Sequence, residues 1–129
     1  MKSEMAAPDA GLTIADAARA SGLSVHTLRY YERAGLIGGV DRAASGHRRY
    51  SEADMSWVET ICCLRATGMP IARIRRYAEL VRDGEGTERE RLALLEEHRA
   101  AVRAQMQEAQ GHLDFVERKI AIYKEMLDE

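Results

Sequence analysis

The sequence predicts a mainly helical protein in two parts: a compact head of four helices with a short β-hairpin, then one long helix that pairs with a second copy. Three observations predict it. Helix-start signals flank a short turn at Ser21-Gly22-Leu23-Ser24, a glycine-rich stretch over 36–50 reads as extended chain, and an apolar heptad runs through the last third. A chain of 129 residues holds one compact domain and an appendage, but not two large cores. With 31% charged residues, 5% aromatics and two prolines, the composition is that of a soluble helical protein rather than a β-rich or disordered one. No apolar run approaches the ~20 residues of a membrane span. Met1 to Gly11 has one Lys and no apolar segment, so it is expected to be a flexible lead-in rather than a secretory signal, and the protein cytoplasmic.

The head is expected over residues 12–82. Thr13 with Asp16 opens a first helix of about two turns, carrying Ile14, Ala17 and Ala18 on one side and ending at Gly22. Ser24 caps a second helix from Val25 to about Ala34, stopped by Gly35. Two short helices joined by so tight a turn form a helix-turn-helix. At ~100° per residue, Val25, Leu28 and Glu32 share one side of the second helix, with Tyr31 at its margin. His26, Thr27, Tyr30 and Arg33 occupy the other. A narrow packing face opposite hydrogen-bond donors and a tyrosine suits a helix entering a DNA major groove.

Leu36, Ile37 and Val40, interleaved with Gly38 and Gly39, then lead into the turn Ala43-Ala44-Ser45-Gly46 and the return strand His47-Arg48-Arg49-Tyr50. This hairpin would be a wing holding Arg48, Arg49 and Tyr50 on an exposed loop, aimed at phosphates or a minor groove. Ser51 with Asp54 opens a third helix whose apolar arc contains Met55, Trp57, Val58, Ile61, Cys62 and Leu64, closed by Gly68. Pro70 suits the start of a fourth, with Ile71, Ile74, Ala78 and Val81 inward and Arg73 and Arg76 outward. Residues 83–86, Asp-Gly-Glu-Gly, read as a polar linker or hinge.

The long helix is expected over 87–129. Leu92, Leu95, Arg99, Val102, Met106, Ala109, Leu113, Val116, Ile120, Tyr123 and Leu127 alternate steps of three and four. All but Arg99 are apolar. A seam of this length, ~60 Å at ~1.5 Å per residue, cannot bury itself on so small a head, so Leu92, Leu95, Val102, Met106, Ala109, Leu113, Val116, Ile120 and Tyr123 are assigned to a homodimer contact. Arg99 is expected near an end of that contact or opposite an acidic group. Charge divides the same way: residues 1–82 hold twelve Lys and Arg against nine Asp and Glu, and residues 83–129 hold seven against twelve. A basic head on an acidic tail fits a protein that brings only its head to phosphate.

Ile14 through Leu36, with Ser24-Val25-His26-Thr27-Leu28-Arg29-Tyr30-Tyr31-Glu32 and Gly35-Leu36-Ile37, resembles the signature of the MerR family of transcriptional regulators. Arg48-Arg49-Tyr50-Ser51 resembles that family's wing and following helix. The likeness covers residues 12 to about 82 closely, and the long helix in pattern only. It implies a winged helix-turn-helix head on an antiparallel coiled coil. The homodimer would bind a palindromic operator in double-stranded promoter DNA, within an overlong spacer that it bends and untwists so that RNA polymerase engages. On these positions the resemblance places Thr13, Ser24, His26, Thr27, Arg29, Tyr30, Arg33, Arg48, Arg49 and Tyr50 at or near DNA.

The effector is read by elimination and by resemblance. Metal-sensing members place Cys at and after the start of the dimer helix, whereas Leu80 to Glu129 contains none; iron–sulfur members need four clustered Cys, and two exist here. Drug-sensing members add a large ligand domain that does not follow the helix in this sequence. No cofactor or metal is expected. Glu59-Thr60-Ile61-Cys62-Cys63-Leu64-Arg65 resembles the aldehyde- and electrophile-responsive branch, whose single sensor Cys falls at Cys63. By helical angle Cys62 lies in the apolar arc and Cys63 on its flank, so Cys62 reads as packing and Cys63 as the nucleophile toward a small electrophile, with Arg65 or the dimer partner favouring the thiolate.

Duller alternatives stand beside these readings. A helical Cys is commonly a small buried hydrophobe. His98 and His112 lie fourteen residues or ~21 Å apart along one helix, which precludes a shared metal within one chain. An enzyme pairing Cys63 with a histidine lacks any pocket-forming segment. A regulator with a non-thiol effector or none, and a coiled-coil module whose head binds protein, remain the competing functions.

Overall fold

The first three helices begin where the sequence supplies a side-chain cap. The computed structural model describes residues 11–38 and 49–128, and its helices are α1 (Ile14–Ser21), α2 (Val25–Arg33), α3 (Glu52–Ala66), α4 (Ile71–Asp83) and α5 (Glu88–Met126). Thr13 Oγ1 accepts the Asp16 amide at 3.1 Å and Ser24 Oγ accepts the Thr27 amide at 2.9 Å. Ser51 and Asp54 bond reciprocally at 3.0 and 2.9 Å, a complete capping box, while Pro70 precedes α4 without a side-chain cap. Caps of this kind contribute about 1 kcal/mol each, which matters for helices of eight or nine residues.

Backbone contacts join α1 to α2, α1 to α3, and α3 to α4. Between them lies a core that includes Ala17, Leu28, Tyr31, Leu36, Val58, Ile61, Met69 and Ile74. Tyr31, expected at the margin of α2, is buried in this core, and Val25 is only half-buried. In α4 the inward turn is completed by Leu80 rather than Val81: Leu80 is 2% exposed. Beyond Gly84 the chain doubles back, and the Thr87 hydroxyl donates to the Leu80 and Gly84 carbonyls at 2.8 and 2.7 Å, which brings it over that end of α4.

Residues 83–86 are therefore part of a hydrogen-bonded corner. Arg91 Nε donates to Thr87 Oγ1 at 3.0 Å, and the Gly86 amide to Glu88 Oε1 at 3.0 Å. Backbone amides of Glu88 itself and of Gly86 hold the Glu88 carboxyl below the usual carboxylate range.

The expected hairpin wing lies largely outside the described residues. Among the described residues no strand forms; residues 39–48, including Arg48, lie outside them. Leu36 and Ile37 do not start a strand, because their amides donate to the Tyr31 carbonyl at 2.9 and 3.3 Å around the left-handed Gly35 (φ 81°), closing the end of α2. Tyr50 instead pairs with Leu12 in an antiparallel bridge, amide to carbonyl in both directions at 2.9 and 2.8 Å. Tyr50 was also expected to be exposed, and it is 1% exposed. Its ring adds a large apolar surface to the core and its hydroxyl finds a carboxylate, donating to Glu32 Oε2 at 2.5 Å. The bridge needs Gly11, whose φ is 103° and whose missing Cβ would lie 3.0 Å from the Tyr50 carbonyl oxygen.

The chain divides into two compact units, Met1–Arg91 and Leu92–Glu129. The second is the body of α5, a 39-residue helix with no buried residue. Leu92, Leu95, Met106, Leu113, Val116, Ile120 and Tyr123 are exposed along the seam, together with Ala109, and Val102 is half-buried. Arg99 pairs with Glu96 of its own helix at 3.9 Å. Leu127 lies just past the last helical residue, its amide still bonded to the Tyr123 carbonyl at 3.0 Å. Among the described residues no helix is long and apolar enough to cross a membrane.

Tyr50→Phe keeps the ring and deletes the donor to Glu32, so it is expected to lower unfolding stability by about 1 kcal/mol; urea denaturation followed by circular dichroism measures this, and an unchanged midpoint would dismiss the tether.

Candidate nucleic-acid interface

α2 separates its residues sharply. Leu28 and Tyr31 are buried, whereas His26, Arg29, Tyr30 and Arg33 are exposed, Tyr30 at 42%. Arg29 and Arg33 make no ion pair with another described residue, and the one acidic residue of the helix, Glu32, is turned toward Tyr50. The first turn contains no acidic side chain, so the positive end of the helix dipole is uncompensated there. The face is therefore cationic, studded with donors and carries one aromatic ring, whose centroid is 5.9 Å from that of Tyr31.

Ser24 and Thr27 sit at the start of this face with their hydroxyls linked, Ser24 Oγ donating to Thr27 Oγ1 at 2.9 Å. Thr13 is half-buried and engaged as the cap of α1. Arg49 is half-buried beside the Leu12–Tyr50 bridge, and its Nε is buried with no partner among the described residues. Tyr50 belongs to the core and supports the face through Glu32 rather than forming part of its surface. Of the expected residues, His26, Thr27, Arg29, Tyr30 and Arg33 share α2 with Ser24 as its cap; Thr13 caps α1, Arg49 and Tyr50 lie at the bridge with Leu12, and Arg48 lies outside the described residues.

Three supporting side chains were not anticipated as such. Trp57 Nε1 donates to the Leu36 carbonyl at 2.6 Å, Arg75 Nε to Ala34 at 2.8 Å, and Arg82 Nη1 to Gly35 at 3.2 Å. Trp57 was legible as part of an apolar arc, but no local pattern announces a bond to a residue 21 positions away.

The two cysteines are distinct. Cys62 is half-buried against the core and lines an open groove of about 620 Å³ that also touches Leu12, Ala20, Ser21, Met55 and Glu59. Burial first, and the Glu59 carboxylate second, push its thiol up from the usual value. Cys63 is exposed. Arg65, expected near that thiol, donates to the Met69 carbonyl at 3.3 Å. Among the described residues no group of three or more His, Cys, Asp or Glu is placed to hold a metal.

Residues 12–80 match the MerR HTH family regulatory proteins, and residues 55–114 match the MerR DNA-binding region. This chain belongs to the MerR family. Like its relatives, the MerR-type chain is a DNA-binding transcriptional regulator and not an enzyme. An uncharacterized HTH-type transcriptional regulator of Haemophilus influenzae is 39% identical over 112 residues, covering 87% of this chain and 83% of the relative. The HTH-type transcriptional regulator AdhR of Bacillus subtilis is 42% identical over 88 residues, 68% of this chain and 63% of that protein. The crystal structure of HiNmlR, a MerR family regulator lacking the sensor domain and bound to promoter DNA, is similar with a TM-score of 0.82 at 38% identity, covering 90% of this chain and 92% of that one. A MerR family transcriptional regulator from Bacillus thuringiensis gives 0.77 at 32% identity, over 85% and 96% of the two chains.

Exposure and the raised Cys62 thiol predict an order of reaction: iodoacetamide at pH 8 modifies Cys63 at least tenfold faster than Cys62, because the Cys62 thiolate is scarcer at any pH below its raised titration. Peptide mass spectrometry over a time course reads this directly, and equal rates would contradict the burial.

Proposed function

We propose that two copies pair through α5 and present two α2 helices to successive major grooves of a palindromic operator in promoter DNA. The observation that carries this reading is the pairing, in one chain, of an exposed cationic α2 face with a mostly exposed apolar seam on α5. His26, Thr27, Arg29, Tyr30 and Arg33 supply base-edge and phosphate contacts; Arg48 and Arg49 reach the flanking backbone from the wing. Thr13 and Ser24 lie at helix starts, where amides and hydroxyls also meet phosphate. The crystal structure of HiNmlR bound to promoter DNA supports DNA as the partner here.

Two heads fixed at one separation distort the spacer between promoter elements, and the distortion sets whether RNA polymerase engages. Bending a site of this size costs of order 1–6 kcal/mol, within reach of a modest change in contacts. The regulator responds to aldehydes or related electrophiles through Cys63, a reading supported by the exposure of that thiol and the burial of its neighbour. In that step the Cys63 thiolate adds to the carbonyl carbon, the C–S bond forms as the carbonyl π pair moves to oxygen, and the oxygen takes a proton from water.

The purified protein is expected to sediment as a dimer, and Leu113→Glu with Val116→Glu to give monomers. Binding of duplex DNA should weaken by about 10³-fold or more between roughly 50 and 200 mM salt if six or more phosphates are contacted; a monomeric wild type, or salt-insensitive binding in a fluorescence titration, would remove the basis of the proposal. For the effector, a promoter fusion challenged with aldehyde should lose its response in Cys63→Ser and keep it in Cys62→Ser; retained induction in the first variant excludes the thiol.

A further inference from the structure

We propose that Trp57, Arg75 and Arg82 are positioning residues that set the angle at which α2 is presented to DNA. This rests on the reading of α2 as the element that reads DNA. Around the left-handed turn at Gly35, the carbonyls of Ala34, Gly35 and Leu36 are three successive acceptors, and each receives a donor from another helix: Arg75 and Arg82 from α4, Trp57 from α3.

The need for them follows from packing. α2 comes close to α1 backbone to backbone, whereas it meets α3 and α4 through side chains alone, sharing the core with them. A nine-residue helix held along one side can pivot about that contact. A pivot of about 10° at its C-terminal end would carry the other end, ~13 Å away, through roughly 2 Å, which is more than a hydrogen bond to a base edge tolerates. The three arms oppose this motion at the C-terminal end of α2.

The arms differ in how firmly they are held, and Arg82 is the exposed one. The Trp57 indole is stacked on Tyr77, centroids 5.7 Å apart at 21°, so its N–H has a set direction. The Arg82 stem lies 3.5 Å from where a Cβ on Gly38 would stand. Arg75 is half-buried and donates through Nε, the part of the guanidinium with the least freedom. Both guanidinium groups also lie at the negative end of the α2 dipole, where a cation is favoured. Arg76, by contrast, is tied to Glu79 and Glu90 at 3.3 and 3.2 Å and serves as a control on the same helix.

The test separates positioning from direct phosphate contact. A duplex selected by the wild-type protein from a randomised library, and a random duplex of the same length, are titrated with the full-length wild type, Arg75→Met, Arg82→Met, Arg75→Lys and Arg76→Met at several salt concentrations; thermal melts accompany each. Arg82→Met is informative even if a core-proximal variant unfolds, because Arg82 is exposed. The expected result is about a tenfold loss of affinity for the selected duplex in Arg75→Met and a smaller loss in Arg82→Met. Random-duplex affinity, salt slope and melting temperature should stay unchanged, with partial recovery in Arg75→Lys and no effect of Arg76→Met on the ratio of the two affinities. Equal losses on both duplexes with a salt slope lower by about one would make these arginines phosphate contacts and overturn the proposal. Unchanged discrimination in the variants overturns it as well, while a wild type that does not discriminate selected from random duplex brings down the DNA-reading role of α2 and the clamp together.

Discussion

A helix of nine residues does not persist alone in water, and α2 is such a helix. It must also leave half its surface cationic and wet, which limits the apolar area available to hold it. Much of the head can be understood as the answer to that constraint. Leu28 and Tyr31 anchor one side in the core, Ser24 caps the start, and Gly35 closes the end by directing the Leu36 and Ile37 amides back to Tyr31. Full burial of a leucine such as Leu28 stabilises by roughly 1.5–3 kcal/mol, so no single one of these contacts suffices and the set acts together.

Tyr50 joins this set to the rest of the head. Its backbone pairs with Leu12 just ahead of α1, its ring lies in the core, and its hydroxyl engages Glu32 on α2. Pulling Glu32 toward Tyr50 also removes the one negative charge of α2 from the exposed face, so a contact that looks purely structural shapes the electrostatics of the interface. The same economy is visible in α4, whose arginines satisfy carbonyls at the end of α2 while its own end is tied to the start of α5 through Thr87.

α5 poses the opposite problem. Its apolar residues recur with coiled-coil spacing and none is buried, so the surface that the head lacks is present in excess on the tail. Under the proposed pairing, a helix of 39 residues with such a seam draws its stability from a partner helix. The charge balance divides along the same line, with basic residues in excess over 1–82 and acidic ones over 83–129, which makes the head the part of the chain better suited to phosphate.

The sequence by itself determined where helices start and stop, because caps, glycines and 3.6-residue periodicity act over a few neighbours: Thr13, Ser24, Ser51, Gly22 and Gly35 all sit where local chemistry puts them. It also determined the exposed face of α2 and the seam of α5, each a property of one helix's angular order. Tertiary structure alone decided the burial of Tyr50 and Leu80, the pairing of Tyr50 with Leu12, and the arms of Trp57, Arg75 and Arg82. The reason is range. These contacts join residues 21 to 47 positions apart, and whether a tyrosine or an arginine faces water or a carbonyl depends on which distant segment the fold sets against it.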